Sequence, residues 1–247
     1  MQIITLTSKR RAAPNLFVLE FTRPEGWSFE AGQFARIGLP VEGADPLMRA
    51  YSVASAPEEN VLRFLMTRVE GGALSPRLTD LEPGETALLE GVAEGNLLPG
   101  RIPGGETLWL FATGSGLSPF LSMLRSKSLW ETRKDVVLVL SVRNFEDAAV
   151  ARELVDTAFP GEFTLVVSTT REEEDGRRGD LSGRIPALLE SGELEAHVGK
   201  SITPETSRVL LCGNPDFITA TRAVFKERGI VSPRFGKPGQ LVAENFW

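Results

Sequence analysis

The sequence predicts a chain in two parts: an antiparallel β-barrel over residues 1–100, then an α/β domain with a parallel sheet over residues 101–247. Three observations carry this. The first hundred residues hold six short segments rich in β-branched and aromatic residues, divided by Gly, Pro, Asn and Asp clusters. The remainder holds apolar runs without strict alternation, separated by helical patterns. Between them, Asn96-Leu-Leu-Pro-Gly-Arg-Ile-Pro-Gly-Gly105 reads as a linker.

The predicted strands of the first half cover 3–7, 16–22, 33–39, 50–55, 62–67 and 86–90. So many short strands in so few residues suit a closed barrel, which leaves no exposed sheet edge. After the fifth, Gly71-Gly-Ala-Leu-Ser75-Pro76 predicts a helix start, with Ser75 as N-cap, Pro76 at the first helical position and the helix over 77–81. In the second half, strands over 108–113, 136–142, 163–169 and 209–212 intersperse with helices over 120–126, 149–158, 185–190 and 217–228. That order implies a parallel sheet covered on both faces, and such sheets bind ligands beyond the carboxyl ends of their strands. Those ends are Thr113-Gly114, Val142-Arg143, Thr169-Thr170-Arg171 and Cys212-Gly213. The charged stretch Arg171-Glu-Glu-Glu-Asp-Gly-Arg-Arg178 reads as a loop.

Composition narrows the function classes. One cysteine permits no internal disulfide and no cysteine-ligated cluster, and one histidine, His197, permits no histidine-rich metal site, so no resident metal is expected. A net charge of −6 argues against general nucleic-acid binding. No apolar run approaches the roughly 20 residues of a membrane helix, and the N-terminus does not read as a signal peptide. A soluble cytoplasmic protein is expected, monomeric because no heptad pattern stands out.

Several motifs could carry chemistry. Arg49-Ala50-Tyr51-Ser52 offers a guanidinium fork suited to phosphate, the chain's only tyrosine and a hydroxyl, although a plain strand with a half-buried tyrosine fits too. The turn before Pro76 would bring free helix N–H groups to an anion, or be a well-capped helix and no more. Thr113-Gly-Ser-Gly-Leu-Ser-Pro119 follows a strand and opens a helix, yet lacks the full dinucleotide fingerprint and the P-loop lysine. Arg143, Arg171 and Arg184 sit at or near successive strand ends, where arginine suits a ribose 2′-phosphate and so NADP over NAD. Cys212 has no histidine to activate it and reads as a buried thiol that could touch a nicotinamide. Glu244 could orient that nicotinamide or relay a proton, or be a solvated charge and no more. Phe246 and Trp247 end the chain with aromatics that a flat cofactor could stack on, the alternative being core anchoring or a partner contact.

Taken together, Arg49-Ala-Tyr-Ser52, Leu74-Ser-Pro-Arg-Leu78, Thr107-Leu-Trp-Leu-Phe-Ala-Thr-Gly114, Ser182-Gly-Arg-Ile-Pro-Ala187, Leu211-Cys-Gly-Asn-Pro215 and Ala243-Glu-Asn-Phe-Trp247 resemble the bacterial ferredoxin (flavodoxin)–NADP reductases, especially the branch ending in an aromatic pair. The resemblance implies an FAD-binding barrel and an NADP-binding α/β domain whose aromatic tail returns to the flavin. It implies FAD contacts at Arg49, Ala50, Tyr51, Ser52, Leu65, Thr67, Ala73, Leu74, Ser75, Ser115, Phe246 and Trp247. It implies NADP contacts at Thr113, Arg143, Thr170, Arg171, Arg184, Asn214, Pro215 and Asp216. Ser52, Cys212 and Glu244 would frame the hydride path, and the partner would be a small acidic ferredoxin or flavodoxin. Two other readings stay open on the residues: an NADH-using reductase component of an oxygenase, and a flavin-binding sensor.

Overall fold

A computed structural model of the chain describes residues 1–155, 159–171, 176 and 178–245. The chain divides into two compact units, one of Met1–Gly95 with Ser118–Ser126, the other of Asn96–Leu117 with Lys127–Trp247.

The first unit is built on six strands, β1 (Gln2–Ala13), β2 (Leu16–Thr22), β3 (Phe34–Val41), β4 (Ala44–Ser52), β5 (Val61–Thr67) and β6 (Thr86–Leu89). Their sheet order is β4-β3-β6-β1-β2-β5, and all pairings are antiparallel. The two ends meet through a bridge between Val53 and Phe64, with the Ala54 N–H donating to the Arg63 carbonyl at 2.7 Å, which closes the barrel. Strand β1 runs past the expected residue 7 because it serves two partners. Gln2–Thr5 pair with β6, and residues from Leu6 onward pair with β2, with irregular register around Leu6 and Ser8. Strand β4 starts before the expected residue 50, because pairing with β3 continues back to Ala44. Ile4, Leu6, Leu19, Phe21, Ile37, Leu62, Phe64 and Met66 fill the interior. Helix α1 (Ser75–Asp80) starts two residues before the predicted 77–81 and places Ser75 inside the helix, with Leu74 at the cap position. Helix α2 (Ser118–Arg125) also belongs to this unit.

The second unit holds β7 (Thr107–Thr113), β8 (Asp135–Val142), β9 (Thr164–Thr169), β10 (Leu181–Ser182), β11 (Ser207–Gly213) and β12 (Leu241–Asn245). All are parallel, in the order β10-β9-β8-β7-β11-β12. Every residue of β7 from Thr107 to Ala112 is buried, so both faces of the sheet are covered, and this is why the apolar runs lack alternation. Helices α3 (Lys127–Thr132), α4 (Phe145–Val155), α5 (Ile185–Glu190), α6 (Glu193–Val198) and α7 (Pro215–Glu227) complete the unit. Helices α5, α6 and α7 pack on Trp109, Phe111, Val137, Val139, Val209 and Leu211. Helix α4 begins four residues before the predicted 149, where Asn144 Oδ1 accepts from the Asp147 N–H at 2.9 Å; residues 156–158 of the predicted span lie outside the described residues. Strands β10 and β12 and helices α3 and α6 were not anticipated.

Sheet order creates the geometry that matters. From β7 the chain steps outward through β8, β9 and β10, then returns to the other flank of β7 with β11 and β12. The carboxyl ends of β7 and β11 therefore border a switch point, the place where open parallel sheets receive ligands.

Candidate functional site

On the barrel, the predicted run closes β4. Arg49 and Ala50 are exposed, Tyr51 is half-buried against the barrel core, and Ser52 is buried. Burial pushes the Tyr51 hydroxyl up to about 12, against the opposing influence of Arg49, so this phenol is a neutral hydrogen-bonding group at any physiological pH. Arg49 donates to the Met48 carbonyl at 2.8 Å and forms no ion pair among the described residues. The Ser52 Oγ is buried without a hydrogen-bond partner. Such a group costs roughly 1–3 kcal/mol unless a ligand supplies what is missing. Leu65 is buried and Thr67 half-buried on β5, and the register of the Val53–Phe64 bridge sets Leu65 beside Ser52.

Ala73 is exposed and Leu74 buried where α1 begins. Ser75 is not the N-cap that the sequence predicts. Its Oγ accepts from the Val69 N–H at 3.0 Å, pinning the Gly71-Gly72 turn. The turn satisfies a loop donor first, so the hydroxyl is spent before it can cap the helix.

At the switch point two turns interlock. A Cβ added to Gly116 would lie 2.3 Å from the Cys212 carbonyl oxygen, and one added to Gly213 would lie 2.1 Å from Thr113 Oγ1. Only glycine permits this approach. The Asn214 N–H donates to Thr113 Oγ1 at 3.2 Å, which ties the ends of β7 and β11 together. Asn214 also caps α7, its Oδ1 accepting from the Phe217 N–H at 2.8 Å, and Pro215 follows in the first turn. Asn214, Pro215 and Asp216 are all exposed at this helix start. Ser115 is half-buried in the 3₁₀ turn Gly114–Leu117 and belongs to this second unit, whereas the other described residues expected at FAD belong to the first.

The arginines line neighbouring strand ends. Arg143 follows β8, and its carbonyl accepts from the Arg171 N–H at 2.8 Å past the end of β9. Thr170 donates through its N–H to the Val142 carbonyl at 3.0 Å. Arg184 follows β10 and occupies the N-cap position of α5. All three guanidinium residues are exposed and form no ion pair among the described residues. Three unpaired cations at adjacent strand ends fit an anion better than they fit each other.

Strand β12 brings Glu244 into direct register with Cys212. Burial, with the nearby Glu244 charge second, pushes the Cys212 thiol well up, so it stays neutral and is no nucleophile. Burial also lifts Glu244 to about 7, opposed by a hydrogen bond from the Asn96 backbone. One of its carboxylate oxygens is buried without a partner. Sequence reasoning found Cys212 and Glu244 but not that they are neighbours, and it missed Asn96 altogether. The capping role of Asn214 had a signal, Asn-Pro-Asp before an apolar-periodic run. Phe246 and Trp247, together with the acidic stretch Glu172 to Asp175 and Arg177, lie outside the described residues.

Comparison with known proteins matches this division. Residues 3–96 fit the oxidoreductase FAD-binding domain family and residues 110–223 the oxidoreductase NAD-binding domain family. The chain is 37% identical over 223 residues to a flavodoxin/ferredoxin–NADP reductase of Escherichia coli, covering 89% of this chain and 88% of that one. It is 38% identical over 239 residues to ferredoxin–NADP reductase A of Sorangium cellulosum, covering 93% and 84%. The crystal structure of a ferredoxin NADP+ reductase from Neisseria gonorrhoeae with bound FAD and NADP superposes with a TM-score of 0.89 at 33% identity, covering 99% of this chain and 98% of that one.

Proposed function

Since the chain belongs to the bacterial ferredoxin (flavodoxin)–NADP reductase family, we propose that it exchanges a hydride with NADP(H) through FAD and single electrons with a ferredoxin or flavodoxin. The observation that carries this is the fit of 99% of the chain to a reductase that holds FAD and NADP. Bound FAD supplies the conversion between two-electron and one-electron transfer.

The residues present fit both cofactors. In the barrel, Ser52 offers a buried hydroxyl with an unfilled hydrogen bond, Tyr51 a half-buried ring to stack on, and Arg49 a fork for phosphate. Ala50, Leu65, Thr67, Ala73, Leu74 and Ser75 complete the proposed FAD set, to which Ser115, Phe246 and Trp247 are assigned from the resemblance. In the sheet, Gly116 and Gly213 keep the switch point open to close backbone approach. Thr113, Asn214, Pro215 and Asp216 border it. Arg143, Arg171 and Arg184 present donors for a 2′-phosphate at the far strand ends, with Thr170 beside them, its N–H and hydroxyl both donating to the Val142 carbonyl.

Cys212 and Glu244 act on the nicotinamide without bonding to it. The neutral thiol supplies a small, polarisable contact. Glu244, with a buried oxygen unfilled and an ionisation near neutrality, orients the carboxamide or holds a proton. No helix among the described residues is long and apolar enough to cross a membrane. The protein is proposed to be a cytoplasmic monomer that meets its carrier by local charge, and its net charge of −6 argues against general nucleic-acid binding. The test is flavin content after purification, followed by NADPH-driven reduction of ferricyanide and of a ferredoxin. A colourless protein that binds no added FAD would contradict the reading.

A further inference from the structure

The segment after α7 leads into β12 by way of a tight hairpin. Arg234 and Lys237 exchange both backbone hydrogen bonds, at 3.1 and 3.0 Å, leaving Phe235 and Gly236 as the two turn residues. Their φ values are +48° and +76°, so the turn needs the left-handed conformation twice. Such turns favour Asn and Gly, and the first position here is filled by phenylalanine, the only non-glycine residue with positive φ among those described. Its ring gains nothing from the core in exchange, being 89% exposed.

The ring is nonetheless held. The Arg234 guanidinium lies over it at 4.9 Å. Proline flanks the turn on both sides at Pro233 and Pro238. Gly239 is packed so tightly that a Cβ would sit 2.3 Å from the Pro233 nitrogen. At the base, Gln240 and Val231 hydrogen-bond each other, and Arg222 of α7 donates to Ser232 Oγ at 3.3 Å. Residues 231–240 contain no acid, while the chain as a whole carries −6. Arg234 and Lys237 are exposed and form no ion pair among the described residues.

We infer that the Arg234-Phe235-Gly236-Lys237 turn is a docking point for an acidic carrier protein, with the Phe235 ring as its apolar anchor and Arg234 and Lys237 as the charges around it. Strain kept at an exposed, rigidly framed tip is a feature of binding surfaces. An aromatic flanked by arginine is the composition of an interface hot spot, and the local positive charge selects an acidic partner. The inference rests on the proposed reductase activity and names where its protein partner lands.

The test compares wild type with Phe235→Asn and with Arg234→Glu/Lys237→Glu, using NADPH with ferricyanide and, separately, with an acidic flavodoxin. Asparagine tolerates the left-handed turn, so Phe235→Asn should raise the melting temperature by about 2 °C. Ferricyanide rates should be unchanged in both variants. The KM for flavodoxin should rise roughly tenfold in Phe235→Asn and further in the double variant, whose KM should also lose its salt dependence. Unchanged flavodoxin KM values beside normal ferricyanide reduction would overturn the docking point and leave the reductase reading intact. Failure of wild type to reduce ferricyanide with NADPH would instead refute the reductase reading. A fall in melting temperature for Phe235→Asn would overturn the strain argument. A change of solution mass without a change in flavodoxin KM would assign the turn to self-association and overturn the carrier as its occupant.

Discussion

In the barrel the candidate residues lie on a paired strand, with Ser52 in register against Phe34 and Tyr51 packed on the core. In the parallel sheet most of them lie just beyond the strands, where Arg143, Arg171 and Arg184 project into solvent. On the proposed reading the barrel thus asks single residues to serve fold and ligand together. On the same reading the sheet separates the tasks beyond β8, β9 and β10, where Arg143, Arg171 and Arg184 are exposed while the buried strands hold the fold. Substitutions in the barrel site should therefore move stability and cofactor affinity together, while substitutions at the strand ends should move affinity alone.

The sharpest way to break this contrast is Gly116→Ala. Here a strand-end residue does serve the fold, since its Cβ would meet the Cys212 carbonyl at 2.3 Å. We expect a loss of about 2–3 kcal/mol in stability with strongly weakened NADP(H) binding, read by urea denaturation and NADP+ titration. Unchanged stability would show that the two turns can separate. Next in size, Arg171→Ala and Arg184→Ala should each raise the KM for NADPH by about 10–100-fold and leave NADH and the melting temperature unaffected, as loss of a charge-assisted phosphate contact predicts. Equal effects on NADPH and NADH would remove the 2′-phosphate assignment. Tyr51→Ala should do what the strand ends do not, lowering the melting temperature and FAD occupancy together; full occupancy after purification would show the ring is not a stacking partner.

Glu244→Gln is the smallest effect and the most specific. Burial holds the folded carboxyl at about 7, above its ordinary range. Its contribution to stability is therefore complete below the unfolded carboxyl pKa and is lost as pH rises through about 7. The glutamine variant should match wild type in acid and be the more stable above neutrality, in melts taken across that interval. Its NADPH reduction rate should also lose any inflection near pH 7, and an inflection that persists would assign the titration to another group.

Much of the fold was legible because its strands carry unambiguous composition. Strand β2 has the predicted bounds, and the apolar runs of β7, β8 and β9 lie within a residue of theirs. What escaped is what only tertiary pairing creates. Strand β10 is two residues long and exists because Leu181 and Ser182 pair with β9. Strand β12 contains an alanine and a glutamate and pairs with β11 alone among the described strands. Missing it hid the adjacency of Cys212 and Glu244. Ser75 failed as a cap because the Val69 N–H competes for its oxygen, a contact six residues back that no capping pattern encodes. The strand-end arginines were readable because a strand's carboxyl end is a position, visible once the strand is.

The most direct measurement is anaerobic reduction of the purified flavoprotein by NADPH and, separately, by NADH, followed through flavin absorbance. Fast bleaching by NADPH and slow bleaching by NADH is the expected result, with the difference abolished in the Arg171→Ala/Arg184→Ala double variant. Equal rates in the wild type would contradict the assignment of the strand-end arginines, and no bleaching by either would contradict the reductase itself.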